Sequence, residues 1–564
     1  MNSMRYKDAL YETRRVADLR RLMNSAAELY GDSAAYLSRC AGGGFVPISY
    51  RQFRSDATAL GTALLAAGHL GEGSGGDMPH TMRGGKVAII SENSYEYIVA
   101  YFAVVCGGGT AVPIDPRLPA AEVQGLLART KASAVFHSKK YAGAVQAENE
   151  TAATRICTSD IPQLIAEGER LIKGGDDRYF RTVIDPHQIC SLLYTSGTTG
   201  AAKGVMLTHA NLVSNVMGLS AFINASGMVT LSVLPMHHTL EFTCDILAAM
   251  YQGCTVAVCE GLRYIMRDLA ESRANVIIGV PLVFEKMHRN IMKTAERAGR
   301  RDLLRGLINL AKLSEGRIPP KLMFRSVHKA LGGHMKLFLV GGAPCDPRII
   351  SDFNAMGIRM IQGYGMTESA PIISVGKDRC SKDASVGLPL HGTFVQIDGA
   401  DADGVGEIVV AGASVMPGYY EDEEATRAAM PGGRLRTGDL GRFDEDGFLY
   451  ITGRKKNLIV LNSGKNVYPE EVEARLLRSP YIEETVVTGD SGERVAVCAE
   501  IFPDLAAIER DFGAACAKGD DLRKIIDREV DKANGSMPPH MSVRRFTLRQ
   551  EPFEKTTTKK IRRG

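Results

Sequence analysis

Tyr194-Thr195-Ser196-Gly197-Thr198-Thr199-Gly200-Ala201-Ala202-Lys203-Gly204 is the segment on which the reading of this chain turns. Seven of its eleven residues are Gly, Ser or Thr, and one lysine stands beside its end. An apolar run, Ile189 to Leu193, precedes it and reads as a buried strand. A hydroxyl-rich loop after a buried strand offers backbone N–H groups and side-chain hydroxyls to phosphate oxygens, and Lys203 adds a mobile point charge. The segment is not a Walker A loop. That pattern places Lys directly after the second Gly and a Ser or Thr after the Lys, whereas here two residues separate Gly200 from Lys203 and Gly204 follows.

Outward from this loop, short β-branched runs alternate with helical segments. Lys86–Ile90, Thr110–Ile114, Ser133–His137, Val229–Leu234, Thr255–Val258, Val276–Val280 and Lys336–Val340 read as buried strands, with helices such as Glu122–Arg129, His209–Phe222 and Leu282–Ala298 between them. Such alternation implies βαβ units with largely parallel sheets. From about Val386 the strands shorten and Asp-Gly turns appear at Asp403-Gly404 and Asp446-Gly447, which suggests a small distorted β-barrel. After Arg454-Lys455-Lys456 a compact α+β unit follows, built from Leu458–Leu461, Pro469–Leu477, Glu484–Val487, Val495–Phe502, Asp521–Ala533 and Ser542–Leu548. The expected fold class is therefore α/β: a large N-terminal domain, residues 1–454, of two βαβ-type sheets plus the small barrel, then a small mobile C-terminal domain, residues 455–564.

Composition narrows the class. A chain of 564 residues exceeds one hydrophobic core, and 45% hydrophobic with 23% charged residues is ordinary for a globular enzyme. A net charge of +4 is too mild to argue for nucleic acid. Eleven cysteines without a C-x-x-C pair suggest reduced thiols, and Met1–Leu29 lacks an apolar signal core, so a soluble cytoplasmic protein is expected. Tyr97–Ile114 is uncharged and long, but Gly107-Gly108-Gly109 and Pro113 break it into a buried helix and a strand rather than a membrane span. Peripheral membrane contact stays open, as does the oligomeric state. Gly71-Glu72-Gly73-Ser74-Gly75-Gly76 fits a dinucleotide fingerprint by letter only, since no strand precedes it and no helix follows.

The order Thr-Ser-Gly-Thr-Thr-Gly-x-x-Lys-Gly resembles the phosphate loop of the adenylate-forming superfamily, the AMP-binding enzymes that include acyl-CoA synthetases, luciferases and peptide-synthetase adenylation domains. Ala202 replaces the usual proline before the lysine. The resemblance implies that Thr195, Ser196, Gly197, Thr198, Thr199 and Lys203 hold the ATP phosphates, with Thr199 a weaker Mg²⁺ ligand. Gly341-Gly342-Ala343-Pro344 resembles the family's adenine turn, and so implies adenine contacts from Gly342 and Ala343. Gln362-Gly363-Tyr364-Gly365-Met366-Thr367-Glu368 resembles its second signature. There Tyr364 would stack on adenine between Gly363 and Gly365, Thr367 would bond phosphate and Glu368 would hold Mg²⁺. In Thr437-Gly438-Asp439-Leu440, Asp439 resembles the acid that takes the ribose hydroxyls; Arg454 resembles a second ribose and phosphate contact, and Lys456 stands at the family's hinge. Ser463–Glu473 is similar to the C-terminal loop that faces the site during thioester formation. Phe553–Arg563 resembles the last motif, P-x-T-x-x-G-K-I-x-R, which makes Lys560 the catalytic lysine that neutralises charge at the α-phosphate. Glu554 and Lys559 depart from that motif, and Lys559 remains an alternative to Lys560.

Leu234-Pro235-Met236-His237-His238-Thr239-Leu240-Glu241 resembles the L-P-x-x-H-x-x-E acyl-pocket motif of long-chain fatty acid–CoA ligases, with His237 and His238 lining the pocket. Adjacent histidines do not share a helix face and no carboxylate partner is evident in the pattern, so a metal role for the pair is not expected. The implied activity is ATP- and Mg²⁺-dependent conversion of a fatty acid to an acyl-adenylate, then transfer to the thiol of coenzyme A. Loading of an acyl carrier protein, an aryl-acid CoA ligase and a non-catalytic nucleotide-binding scaffold stay as alternatives. Acyl chain length and pathway are not legible in the sequence.

Overall fold

The computed structural model describes residues 10–40, 43–71, 84–145, 153–195, 202–314, 319–378, 380–462, 465–490, 495–555, 561 and 563. Ser196, Gly197, Thr198, Thr199, Lys559 and Lys560 lie outside the described residues, as do Ser463 and Gly464. Two compact units emerge: Met1–Val395 with Val410–Leu435 and Glu445–Leu449, and Gln396–Val409 with Arg436–Asp444 and Tyr450–Gly564.

In the first unit the apolar run before the hydroxyl-rich loop is the strand Ile189–Thr195, whose first five residues are buried. It lies third in a seven-stranded sheet ordered Gly418–Tyr419, Lys203–Thr208, Ile189–Thr195, Thr110–Pro113, Lys86–Ile90, Ala134–His137, Thr154–Cys157. From Ile189–Thr195 to Thr154–Cys157 the neighbours are parallel. The strand Lys203–Thr208 returns antiparallel and pairs Lys203 with Thr195. The hydroxyl-rich loop thus spans a hairpin rather than leading straight into a helix. The sequence reading did not foresee this strand, because Lys203-Gly204-Val205-Met206-Leu207-Thr208 carries one β-branched apolar residue and neither alternates nor runs continuously apolar. The helix Tyr95–Val105, buried at every residue but Glu96, precedes the strand Thr110–Pro113, as the glycines between them require. No helix among the described residues is long and apolar enough to cross a membrane.

A nine-stranded sheet runs in the order Leu388–Pro389, Ile372–Val375, Arg359–Gly365, Leu337–Val340, Val276–Gly279, Val229–Ser232, Thr255–Val258, Ala34–Arg39, Phe45–Ser49. Its six middle strands are parallel. Chain order reverses at Val229–Ser232, which lies between Thr255–Val258 and Val276–Gly279. Such a reversal is where open α/β sheets form a crevice beyond the carboxyl ends of their strands. Beneath, Phe284, Phe338 and Phe353 pack with ring centroids 4.8 and 5.1 Å apart. Each such buried ring contributes about 1.5–3 kcal/mol to the core on which this sheet rests.

The second unit holds most of a four-stranded sheet, ordered Thr393–Asp398, Gly406–Gly412, Leu435–Phe443, Leu449–Arg454. The expected small barrel is this open sheet: no closing pair joins its edges among the described residues. Four short strands are too few to wrap a filled interior. Further on, Ile482–Asp490, Ala496–Pro503 and Arg545–Leu548 form a three-stranded sheet. The helices Pro469–Leu476 and Gly519–Asn534 cover it, sharing a core of Val472, Leu476, Ile501, Ile526 and Val530.

Candidate active site

The loops at the carboxyl ends of both large sheets in the first unit meet. Asn93, just past Lys86–Ile90, donates from Nδ2 to Leu234 O at 2.6 Å and accepts from Met236 N at 3.0 Å. Leu234 and Met236 belong to the loop after Val229–Ser232, so one side chain ties the two sheets together. Glu241, fully buried, completes that loop from the far side: Ser232 Oγ donates to it, and Leu234 N donates at 3.3 Å. The motif glutamate therefore holds the Leu234–His238 turn in shape. A Cβ on Gly341 would lie 3.5 Å from Leu240 and 3.7 Å from Gly363 O, and one on Gly342 3.4 Å from Val280. The expected adenine turn and the Gln362–Glu368 segment thus converge on the same crevice.

Burial and the neighbouring Asp245 push the Glu241 carboxyl well above the usual carboxylate range, and burial raises Asp245 as well. A carboxyl raised in the folded state favours folding most below its unfolded value and loses that contribution as pH climbs. We therefore expect Asp245→Asn to stabilise the protein increasingly as pH rises above about 4. Thermal denaturation of both forms at acidic and alkaline pH checks this, and a constant difference across pH contradicts it.

Glu368 is buried at the end of the second signature and accepts a hydrogen bond from Tyr419 Oη at 2.9 Å. The same Tyr419 ring receives Lys203 Nζ at 4.9 Å from its centroid. Strand pairing explains the assembly, since Gly418–Tyr419 adds to the edge of Lys203–Thr208 with Tyr419 opposite Val205. Lys203, Tyr419 and Glu368 thus gather at the base of the hydroxyl-rich loop. Arg129 braces that base, donating to Ala202 O at 2.9 Å. The sequence reading missed Tyr419 and Arg129, because nothing local marks either one. Asn215 holds the following turn by donating to Ser369 O and Ile372 O at 3.1 and 2.9 Å. Gly365 is obligatory at its place, because a Cβ there would sit 1.9 Å from Pro371 O. Gln362 Oε1 is buried without a hydrogen-bond partner among the described residues, while Tyr364 and Thr367 are half-buried.

His237 and His238 sit at the crevice, their ring centroids 4.2 Å apart. His237 Nε2 lies 3.4 Å from Asp115 Oδ2, at the carboxyl end of Thr110–Pro113 in the other sheet. Burial opposes the Asp115 charge, yet the adjoining His237 and Arg117 outweigh it and hold the carboxyl well below the usual range.

In the second unit, Arg454 Nε pairs with Asp439 Oδ1 at 2.9 Å, so the two expected ribose contacts stand together. Asp439 is buried and its N donates to Thr437 Oγ1. Lys456 lies in the short turn Lys455–Asn457, its pKa lowered by burial and by Arg454 and Arg563. Residues 556–560 are flanked by an antiparallel bridge between Lys555 and Ile561. Two buried acids anchor the flanks. Glu484 accepts from Phe553 N at 2.9 Å and pairs with Lys555. Glu473 accepts from Val487 N at 2.7 Å and pairs with Arg563. Burial pushes Glu473 up to about 7 against the pull of Arg563.

These features agree with comparison to known proteins. The sequence profile of the AMP-binding enzyme family matches residues 23–420, and that of the AMP-binding enzyme C-terminal domain matches residues 456–564. The long-chain-fatty-acid–CoA ligase FadD15 of Mycobacterium bovis is 30% identical over 529 residues, covering 85% of this chain and 86% of that one. The chloroplastic long-chain-fatty-acid–[acyl-carrier-protein] ligase AEE15 of Arabidopsis thaliana is 27% identical, covering 82% and 77%. Among solved structures, ATP-bound MatB from Rhodopseudomonas palustris superposes with a TM-score of 0.73 at 23% identity, covering 96% of this chain and 97% of that one, which establishes the shared fold. With its profile matches covering both parts of the sequence, the chain belongs to the AMP-binding enzyme family.

Proposed function

We propose that the protein activates a medium- to long-chain fatty acid with ATP and passes the acyl group to the thiol of coenzyme A. The observation that carries this reading is the grouping of Lys203, Tyr419 and buried Glu368 at the strand ends that bound the hydroxyl-rich loop, in a chain similar to named fatty acid ligases. A carboxylate oxygen attacks the α-phosphorus, the bond to the bridging oxygen breaks, and pyrophosphate leaves. The thiol sulfur then attacks the acyl carbon, gives up its proton, and AMP departs. Lys203 draws in phosphate charge, and Lys560 neutralises the charge that grows at the α-phosphate. Glu368 would hold Mg²⁺, with the Thr199 hydroxyl as a weaker ligand, both being the oxygen donors that this ion takes. That ion would supply charge neutralisation on the phosphate oxygens. Gln362, whose buried oxygen has no partner among the described residues, and Tyr364 serve the adenine, Asp439 and Arg454 the ribose, and Gly342, Ala343, Gly363 and Gly365 let backbone approach the ring.

The functional boundary proposed here is Arg454–Lys455, with Lys456 as hinge, supported by profiles that end at 420 and resume at 456. Eleven free cysteines support a reducing, cytoplasmic setting. An acyl carrier protein is the second acceptor to consider, because AEE15 is named for one.

Pyrophosphate release with ATP, Mg²⁺ and fatty acids of graded length, with and without CoA, tests the reading. Turnover that needs both acid and CoA supports it. A single stoichiometric burst indifferent to CoA favours the carrier protein, and no release with any acid overturns it. The two acids flanking residues 556–560 give a finer test. Glu484→Gln removes the charge that pairs Lys555, and is expected to slow adenylation ~10-fold while sparing thioester formation from supplied acyl-adenylate. Equal loss in both half-reactions would mean that Glu484 serves folding alone.

A further inference from the structure

We propose that Asp115, His237 and His238 form a binding site for a divalent transition metal of the zinc class. One ligand atom from each lies within 4.8 Å of the other two. Bonds of about 2.0–2.2 Å set ligand atoms about 3.4 Å apart in a tetrahedral zinc site. The observed His237 Nε2 to Asp115 Oδ2 separation is 3.4 Å. His237 is 8% exposed and its Nε2 has no hydrogen-bond partner among the described residues, although Asp115 Oδ2 lies 3.4 Å away. Such a nitrogen costs free energy unless something fills the gap.

The expectation that neighbouring histidines cannot share a ligand assumed a helix. Here His238 is the extended residue that precedes the helix Thr239–Glu241, so both rings can face Asp115. The loop is pre-shaped by Asn93 on one side and Glu241 on the other, which reduces the ordering cost of binding. Two imidazoles and one carboxylate suit Zn²⁺, Co²⁺ or Ni²⁺ and are a poor set for Mg²⁺. The fourth position would fall to water or substrate. Asp115 presents its carboxylate to both imidazoles and already pairs with a cation. Arg117 currently takes that role: its Nε lies 3.0 Å from Oδ1 and its Nη2 3.0 Å from Oδ2. Its side chain is 41% exposed, so it can swing into water when a metal arrives.

Because both histidines are assigned above to the acid pocket, bound metal should raise the KM for fatty acid. That consequence alone rests on the proposed function. Direct binding does not. Co²⁺ titrated into the full-length protein without nucleotide should give visible d–d bands of nitrogen and oxygen ligation, one ion per chain, without a thiolate charge-transfer band. Asp115→Asn and His237→Gln should each weaken binding at least ~10-fold, whereas Arg117→Ala should tighten it by removing the competing cation. Opposite signs from neighbouring residues would not arise from misfolding. Binding unchanged in all three variants, or a thiolate band, would overturn the site by assigning the metal to cysteines. Metal binding with the expected variant pattern but no change in KM would uphold the site and count against the pocket reading.

Discussion

Replacing Lys560 by alanine is expected to slow acyl-adenylate formation ~100- to 1000-fold while leaving thioester formation from supplied acyl-adenylate near the wild-type rate. Charge accumulates between the incoming carboxylate and the α-phosphate only in the first half-reaction, so a cation serving that step has nothing to stabilise in the second. The loss corresponds to about 2.7–4 kcal/mol of transition-state stabilisation. Lys559→Ala is the internal control, because the neighbouring lysine is the other candidate from the motif. Survival of both half-reactions in Lys560→Ala, with loss in Lys559→Ala, would move the role by one residue. The buried acids Glu484 and Glu473 argue for defined flanks on this segment, since each takes a backbone N–H as well as a charged side chain.

The second large effect belongs to Glu368→Gln. Its carboxylate is buried and already bonded to Tyr419, and glutamine keeps an oxygen for that hydroxyl while losing the charge. We expect ~100-fold slower adenylation and a rise of roughly tenfold or more in the Mg²⁺ concentration needed for half-maximal rate. Tyr419→Phe should move the same Mg²⁺ dependence in the same direction, by about tenfold, because it removes the group that orients the carboxylate. Initial rates over a Mg²⁺ series at saturating ATP measure both. An unaltered Mg²⁺ dependence in Glu368→Gln would show that the carboxylate faces no metal.

Much of the architecture was legible because strands buried on both faces appear as continuous β-branched runs, and Lys86–Ile90 and Thr255–Val258 have the bounds their composition suggests. The helix His209–Phe222 was equally plain, opened by Thr208, which caps it by accepting from Asn211 N. Edge strands were not legible. Gly418–Tyr419, the edge itself, owes its form to pairing with Lys203–Thr208, which is in turn held by Ile189–Thr195, and that pairing is what gives Tyr419 its place beside Lys203 and Glu368. The Asp-Gly turns were real, with Gly404 and Gly447 both at positive φ, yet turns say nothing about whether a sheet closes. Likewise Asp115 and His237 meet because two sheets aim their carboxyl ends at one crevice, a fact of topology that no local pattern carries.

In the proposed reaction a fatty carboxylate attacks the α-phosphorus of ATP. Carboxylate-labelled palmitate carrying heavy oxygen in both carboxyl positions, turned over with ATP and CoA, tests it by the fate of the label. AMP is expected to gain one labelled oxygen while the acyl thioester keeps the other and pyrophosphate carries none. Label in orthophosphate with ADP as the nucleotide product would contradict it, because the attack would then fall on the γ-phosphorus.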